Sequence, residues 1–405
     1  MHRLTMLCET TSVPRAVGAK ELAMEFELPP HYAAIRDEAR AVAATVEHLA
    51  AEADERDDIH PEVLEALRGS ELGGLVVPAA HGGRSEDVDP LAVCVAREGL
   101  MATSSHLDSL FALQGIGSYA LSRGGAPEHQ AAWLPRVARY DTLAALALTE
   151  PVAGSDLRSI TTTVRETGDG LVVDGEKAFI SNAGAAGFYT TFAKHGDGYS
   201  VVLVPADAEG VSSEPEPTII APHVLGRVRF DGVTVPADHL VGEPGQGFDL
   251  VLATLAVFRV SVAGAAIGLG EAALREANRH AQEREQFGRP LARLGAVAGH
   301  LADSWTDLEQ ARLLTYRAAA RARQDPAAAL HHSSMAKLAA TEAASRIVDR
   351  AVQVMGRWGL IRDSKIERLY RQARPMRVYE GASEVLRLAI AKALGEPGAL
   401  DQEQT

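Results

Sequence analysis

A chain of 405 residues is too long for one small module and reads as two or three domains. With 46% apolar and 23% charged residues it can bury a sizeable core, which excludes wholesale disorder. Forty basic against 54 acidic side chains leave a net charge of −14, which argues against a nucleic-acid partner.

Residues 1–25 read as a loose extension, with neither a long apolar stretch nor a clean cleavage site, so no secretory signal is expected. From residue 26 to 146 the chain is rich in Ala and Leu at helical spacing, broken at turns such as Gly73-Gly74 and Gly82-Gly83. Residues 147–247 change to β-branched runs punctuated by Asp-Gly at Asp169, Asp174, Asp197 and Asp231, each a hairpin signal. Residues 248–395 return to long helices, and 396–405 form a tail. In this last zone Leu291, Leu294, Ala298, Leu301, Trp305 and Leu308 recur at steps of 3 and 4, which predicts an apolar stripe on one bundle helix. The fold class expected is α+β and multi-domain: a helical N-terminal domain, a β-barrel-like middle domain and a C-terminal four-helix bundle. The apolar run Leu250–Phe258 stops at Arg259, well short of the roughly 20 residues of a spanning helix, so no membrane partner is expected.

Cys8 and Cys94 stand far apart in no metal-ligand spacing, which excludes a disulfide framework and points to a reducing cytoplasm. No metal site is expected. His331-His332 lack a nearby ligand to complete a shell and read as exposed. Gly264, Gly268 and Gly270 do not have the spacing of a dinucleotide fingerprint and read as close helix packing. No nucleophile elbow is present.

Three segments carry more chemistry. Thr149, Gly154 and Ser155 bring hydroxyls and approachable backbone N–H groups into one turn, which suits either a ligand or a capped loop. Arg284 stands beside Phe287 and Gly288 at a helix end, where it would pair with a phosphate or face solvent. Glu380, between Val378-Tyr379 and Gly381-Ala382, is either a desolvated base or a helix cap.

In this order, ALTEPVAGSD (Ala147–Asp156), DGEKAFISNAG (Asp174–Gly184), Arg227–Val241, REQFG (Arg284–Gly288), QVMGRWGL (Gln353–Leu360) and LYRQARPMRVYEGASEVLR (Leu369–Arg387) resemble the acyl-CoA dehydrogenase family of flavoproteins. The resemblance spans Pro29 to Leu394 and implies FAD held between the β domain and the bundle of a neighbouring subunit. It implies that Leu148, Thr149, Gly154, Ser155, Phe179 and Ser181 line the isoalloxazine side. Arg284 would pair with the pyrophosphate and Phe287 would pack near it. Gln353 and Gly356 would border the adenosine half, and Ala382 and Glu384 complete the implied cofactor set. Ser155, Arg259, Tyr379 and Gly381 are the implied substrate contacts, with Arg259 toward the CoA portion. Glu380 is the implied catalytic base, removing the α-proton of an acyl thioester while the β-hydride passes to flavin N5.

Some family members carry the base near the position of Phe258, which cannot take a proton. Phe179 stands where Trp is frequent, Ala382 where Thr is frequent, and Leu294-Gly295 where a polar pair is frequent. The implied partners are an acyl-CoA or acyl-carrier-protein thioester, an electron-transferring flavoprotein as acceptor, and further copies of the chain, as a tetramer or at least a dimer. A flavin monooxygenase or oxidase of the same architecture, and a scaffold protein without activity, are the competing readings.

Overall fold

The computed structural model describes residues 27–396. The expected extension 1–25 and the tail beyond residue 396 lie outside that range.

The N-terminal part consists of helices α1 (Pro30–Thr45), α2 (Ala50–Ala53), α3 (Pro61–Arg68), α4 (Pro90–Met101), α5 (Ser105–Gly124) and α6 (Pro127–Ala138). Proline opens α1, α3, α4 and α6, where its missing N–H costs nothing and its fixed φ suits the first turn. Asp89 caps α4 by accepting from Leu91 N at 2.9 Å, and Ser104 caps α5 by accepting from Leu107 N. Helix α4 is buried along its whole length, at the centre of the molecule.

The middle part is a sheet of β1 (Leu143–Ala147), β2 (Thr163–Thr167), β3 (Gly170–Ser181), β4 (Ala186–His195), β5 (Gly198–Pro205), β6 (Val211–Pro215), β7 (Leu225–Val235) and β8 (Leu240–Val241). Strand structure therefore begins at Leu143, inside the zone expected to be helical. The strand order is β6-β7-β3-β2-β4-β5-β8, with β1 parallel to β4. Strands β6 and β8 end the sheet without pairing with each other, so the expected barrel-like domain is an open sheet.

The Asp-Gly pairs divide. Asp169 and Asp197 sit in the two tight hairpins β2-β3 and β4-β5, where Thr167 pairs Gly170 and His195 pairs Gly198. Asp174-Gly175 and Asp231-Gly232 instead lie inside β3 and β7, where the register shifts between Val173 and Gly175. Gly232 N donates to Asp174 Oδ1 at 2.8 Å, so these two pairs face each other across a bulge. Gly175 and Gly232 take φ of +148° and +61° at the bulge and Gly170 takes +130° at its hairpin, so the dipeptide does not separate the two.

The C-terminal part comprises α7 (Gly247–Glu283), a small hairpin of β9 (Glu285–Gln286) and β10 (Arg289–Pro290), then α8 (Gly295–Gln324), α9 (Leu330–Met355), α10 (Lys365–Met376) and α11 (Ser383–Leu394). Helix α7 is long and apolar enough to cross a membrane by length and composition, more than the short run ending at Arg259 suggests. Yet 78% of its most apolar window is buried among other helices. Gly264 and Gly268 let α7 lie directly on α4, since a Cβ at either would run into the carbonyls of Cys94 and Glu98. Helix α8 buries Ser304, Leu308, Ala311, Thr315, Ala318 and Ala322, while Trp305 is 65% exposed and Ala298 is exposed. The predicted stripe has the right period but is out of phase at Ala298 and Trp305, while Leu301 and Leu308 do face the core.

Candidate active site

Glu380 lies in the short link between α10 and α11. Its φ is +53° and that of Gly381 is +106°. A non-glycine residue in the left-handed region persists only where its surroundings hold it. Two buried cations on the bundle helices do so. Arg259 Nε, on α7, donates to the Glu380 carbonyl at 2.8 Å, and Lys337 Nζ, on α9, donates to the Gly381 carbonyl at 2.8 Å. Arg259 Nη1 also donates to Ser334 Oγ at 3.1 Å. Ser383 Oγ bonds Glu342 Oε1 at 2.7 Å and fixes the start of α11.

The carboxylate itself is left free. Glu380 Oε2 is buried and has no hydrogen-bond partner. Burial pushes its carboxyl up from the ordinary range, against the opposing pull of Arg97, Arg259 and Lys337. A desolvated carboxylate without a partner is a strong base; a helix cap would spend its oxygens on backbone N–H groups.

Arg97, on α4, was not singled out in the sequence. It is buried, grips Asp108 through Nε at 2.9 Å and Nη2 at 2.7 Å, and donates from Nη1 to Ser261 Oγ at 3.0 Å. Phe258 is fully buried, edge-on to Tyr119 with ring centroids 5.8 Å apart, and leaves no room for a side chain at Gly115. Charged residues inside the apolar run of α4 were the available signal for Arg97. Lys337, between Ala336 and Leu338, carried the same signal.

On the sheet, the loop after β1 is fastened by Glu150, which the sequence reading passed over. Its carboxylate accepts from Thr161 N, Thr162 N at 2.9 Å and Lys177 Nζ at 3.0 Å, and Lys177 also donates to the Leu148 carbonyl at 3.1 Å. Burial raises the Glu150 carboxyl, but Lys177 and the threonine donors outweigh it and bring it to about 2. Ala178 N donates to the Thr149 carbonyl at 2.9 Å, tying this loop to β3. Gly154 and Ser155 are exposed on the loop. Phe179 lies at a register shift of β3 with φ +54°, and this turns its ring outward to 54% exposure. Ser181 Oγ meets His223 Nε2 at 2.9 Å, and burial lowers that imidazole to about 4, so it is neutral at pH 7.

The remaining residues lie at the far end of the bundle. Ala256 and Arg259 on α7 bond Ser333 and Ser334 on α9, while Gly270 further along α7 faces Ile347 and Ala344, so the two helices run parallel. Arg284 caps the C-terminal end of α7, 25 positions beyond Arg259, about 37 Å at 1.5 Å per residue. Phe287 is 89% exposed beside it, and Gln353 and Gly356 are exposed at the parallel end of α9. The structure thus gathers Arg259, Tyr379, Gly381 and Ala382 around Glu380, but holds Arg284, Phe287, Gln353 and Gly356 away from it. Arg259 is buried behind the Glu380 link, where it holds the main chain. Glu384 is exposed on α11, 3.9 Å from Arg387. His332, expected to be exposed, is buried with its ring 4.0 Å from that of His331.

Helices, then a sheet with an outward aromatic, then helices that strain a desolvated glutamate into place define a redox enzyme of the acyl-CoA dehydrogenase class. The comparisons agree: models of the acyl-CoA dehydrogenase N-terminal, middle and C-terminal domains match residues 29–141, 145–233 and 245–395. Cyclohexane-1-carbonyl-CoA dehydrogenase of Geobacter metallireducens is 34% identical over 85% of this chain and 92% of its own length. Human mitochondrial short-chain specific acyl-CoA dehydrogenase is 33% identical over 85% of this chain and 84% of its own. The structure of butyryl-CoA dehydrogenase from Megasphaera elsdenii superposes with a TM-score of 0.87, at 27% identity, over 92% of this chain and 100% of the other. The chain belongs to the acyl-CoA dehydrogenase family, a family of FAD-dependent oxidoreductases.

Proposed function

We propose that the protein desaturates an acyl-CoA thioester between its α and β carbons, with Glu380 as the base. The observation that carries this reading is the buried, unpartnered Oε2 of Glu380 on a strained link. A thioester α-proton is weakly acidic, so its removal needs a base of raised pKa and donors where negative charge develops on the carbonyl oxygen. The main-chain N–H of Glu380 belongs to the segment that Arg259 and Lys337 hold rigid, which suits that second role.

The residues present fit FAD. Phe179 offers an exposed ring on the sheet, next to the loop that Glu150 and Lys177 secure. Leu148, Thr149, Gly154, Ser155 and Ser181 are on that same loop and strand, and Arg284 is an exposed cation suited to a pyrophosphate. When bound, FAD supplies the acceptor for the β-hydride. Because Arg284 lies about 37 Å from Arg259 along α7, its place in this reading is on the FAD of a second copy, and the working unit is at least a dimer. An electron-transferring flavoprotein is the proposed electron acceptor.

The test is an anaerobic absorbance titration of the FAD-loaded protein with acyl-CoA thioesters of graded chain length. Bleaching of the flavin bands by one chain class supports the proposal and names the substrate range. A flavin that no thioester bleaches, CoA-linked or carrier-linked, overturns it.

A further inference from the structure

Away from the Glu380 site, three side chains converge where the N-terminal helices meet the sheet. His129 is in the first turn of α6, and Asp238 and His239 form the turn between β7 and β8. One ligand atom from each lies within 4.8 Å of the others.

The two imidazoles are set for coordination. His239 Nδ1 is 2.7 Å from the Leu203 carbonyl, and a carbonyl only accepts, so Nδ1 carries the proton and Nε2 keeps a lone pair. Metal-bound histidines are held in this way, the distal N–H on a carbonyl fixing tautomer and ring angle. His129 Nε2 is buried, makes no hydrogen bond, and lies 3.4 Å from Asp238 Oδ2. The rings meet edge-on with centroids 4.3 Å apart. The framework is fixed on both sides, since Gly242 N donates to the Gly124 carbonyl at 2.7 Å just beside the cluster.

We infer that His129, Asp238 and His239 form a binding site for a divalent transition metal, zinc foremost, that clips the N-terminal helical domain to the sheet. Two imidazoles and a carboxylate suit zinc and disfavour magnesium or calcium, which take oxygen donors. The exposed side of Asp238 leaves the fourth position to water, so the ion exchanges and its effect is on the stability of the joint.

Untagged, chelator-treated protein is dialysed against zinc chloride, its metal content is measured by mass spectrometry, and its melting temperature is read with and without zinc. The expected result is one zinc per chain and a zinc-dependent rise of several degrees in the wild type. Both are lost in His129→Gln and His239→Gln, and magnesium has no effect. Asp238→Asn, at a largely exposed side chain, keeps the fold and weakens the uptake. Zinc content or melting shifts equal in the wild type and the histidine variants overturn the inference. The readouts do not involve flavin or thioester, so they are independent of the proposed reaction.

Discussion

Arg259 Nε donates to the main-chain carbonyl of Glu380 at 2.8 Å, across 121 positions of sequence. One cation thereby acts twice: it anchors the strained link and its charge pulls the Glu380 carboxyl downward while burial pushes it up. The proposed base is thus held in position from its backbone, and its buried Oε2 is left without a partner.

Replacing that base is the direct check on the mechanism. Glu380→Gln should retain FAD and ligand while thioester-driven bleaching slows by roughly 10²–10⁴-fold, the usual worth of a positioned general base. Stopped-flow absorbance at the flavin bands measures it, and a rate within a few-fold of wild type removes Glu380 from the reaction.

The pH dependence follows from the direction of the shift. A carboxyl pushed up by desolvation stays protonated to higher pH than an ordinary glutamate, so bleaching should rise as pH climbs through that raised pKa. The folded state then holds the proton more tightly than the unfolded chain. The group's contribution to stability is complete below the unfolded pKa of about 4.3 and is lost as pH rises through the folded value. Urea midpoints of wild type and Glu380→Gln should therefore diverge with rising pH, the Gln variant becoming the more stable. Parallel curves would show that the carboxyl is not desolvated.

Arg97 and Asp108 test how that environment is set. Arg97→Met strands a buried carboxylate and should cost about 3–5 kcal/mol, whereas Arg97→Met with Asp108→Leu should recover most of it. In the double variant the loss of the Arg97 charge should move the rising limb of the bleaching profile to higher pH, because Arg97 opposes the upward shift of Glu380. An unmoved limb would assign the pair to packing alone.

Gly381 is constrained from two directions. With φ at +106°, a Cβ there would stand 2.9 Å from Leu386 Cδ2 and 3.3 Å from Arg259 Nη2. Gly381→Ala should cost about 1–3 kcal/mol of backbone strain and slow bleaching more than it weakens thioester binding. Thermal melts and single-turnover kinetics check the two parts, and a variant as stable and as fast as wild type would remove the constraint.

The sequence was most legible where one residue type has one physical use. Gly264 and Gly268 read as helix contacts and are helix contacts, because only a missing Cβ lets α7 lie on α4. It was least legible where a choice depends on partners distant in sequence. Trp305 fits an apolar period but lies on the outer face of α8, since period does not fix phase. Asp174 and Asp231 carry the hairpin dipeptide yet form a bulge, because β3 and β7 continue past it. Glu380 stood out through its neighbours, but Arg97 and Lys337 act on it from helices far away in the chain.

The separation of Glu380 from Arg284 leads to a test of the shared site. If each FAD takes its base from one subunit and its pyrophosphate cation from the partner, Arg284→Ala should lose FAD and Glu380→Gln should lose turnover, each nearly completely as homo-oligomers. A mixed dimer of the two variants contains one site with both defects and one with neither, since the Glu380→Gln chain supplies its intact Arg284 to the Arg284→Ala chain. Co-expression with two affinity tags should therefore yield hetero-oligomers with about one active site in two. No recovery of bleaching in isolated hetero-oligomers would mean that Arg284 serves its own subunit or serves no FAD, and would overturn the shared site.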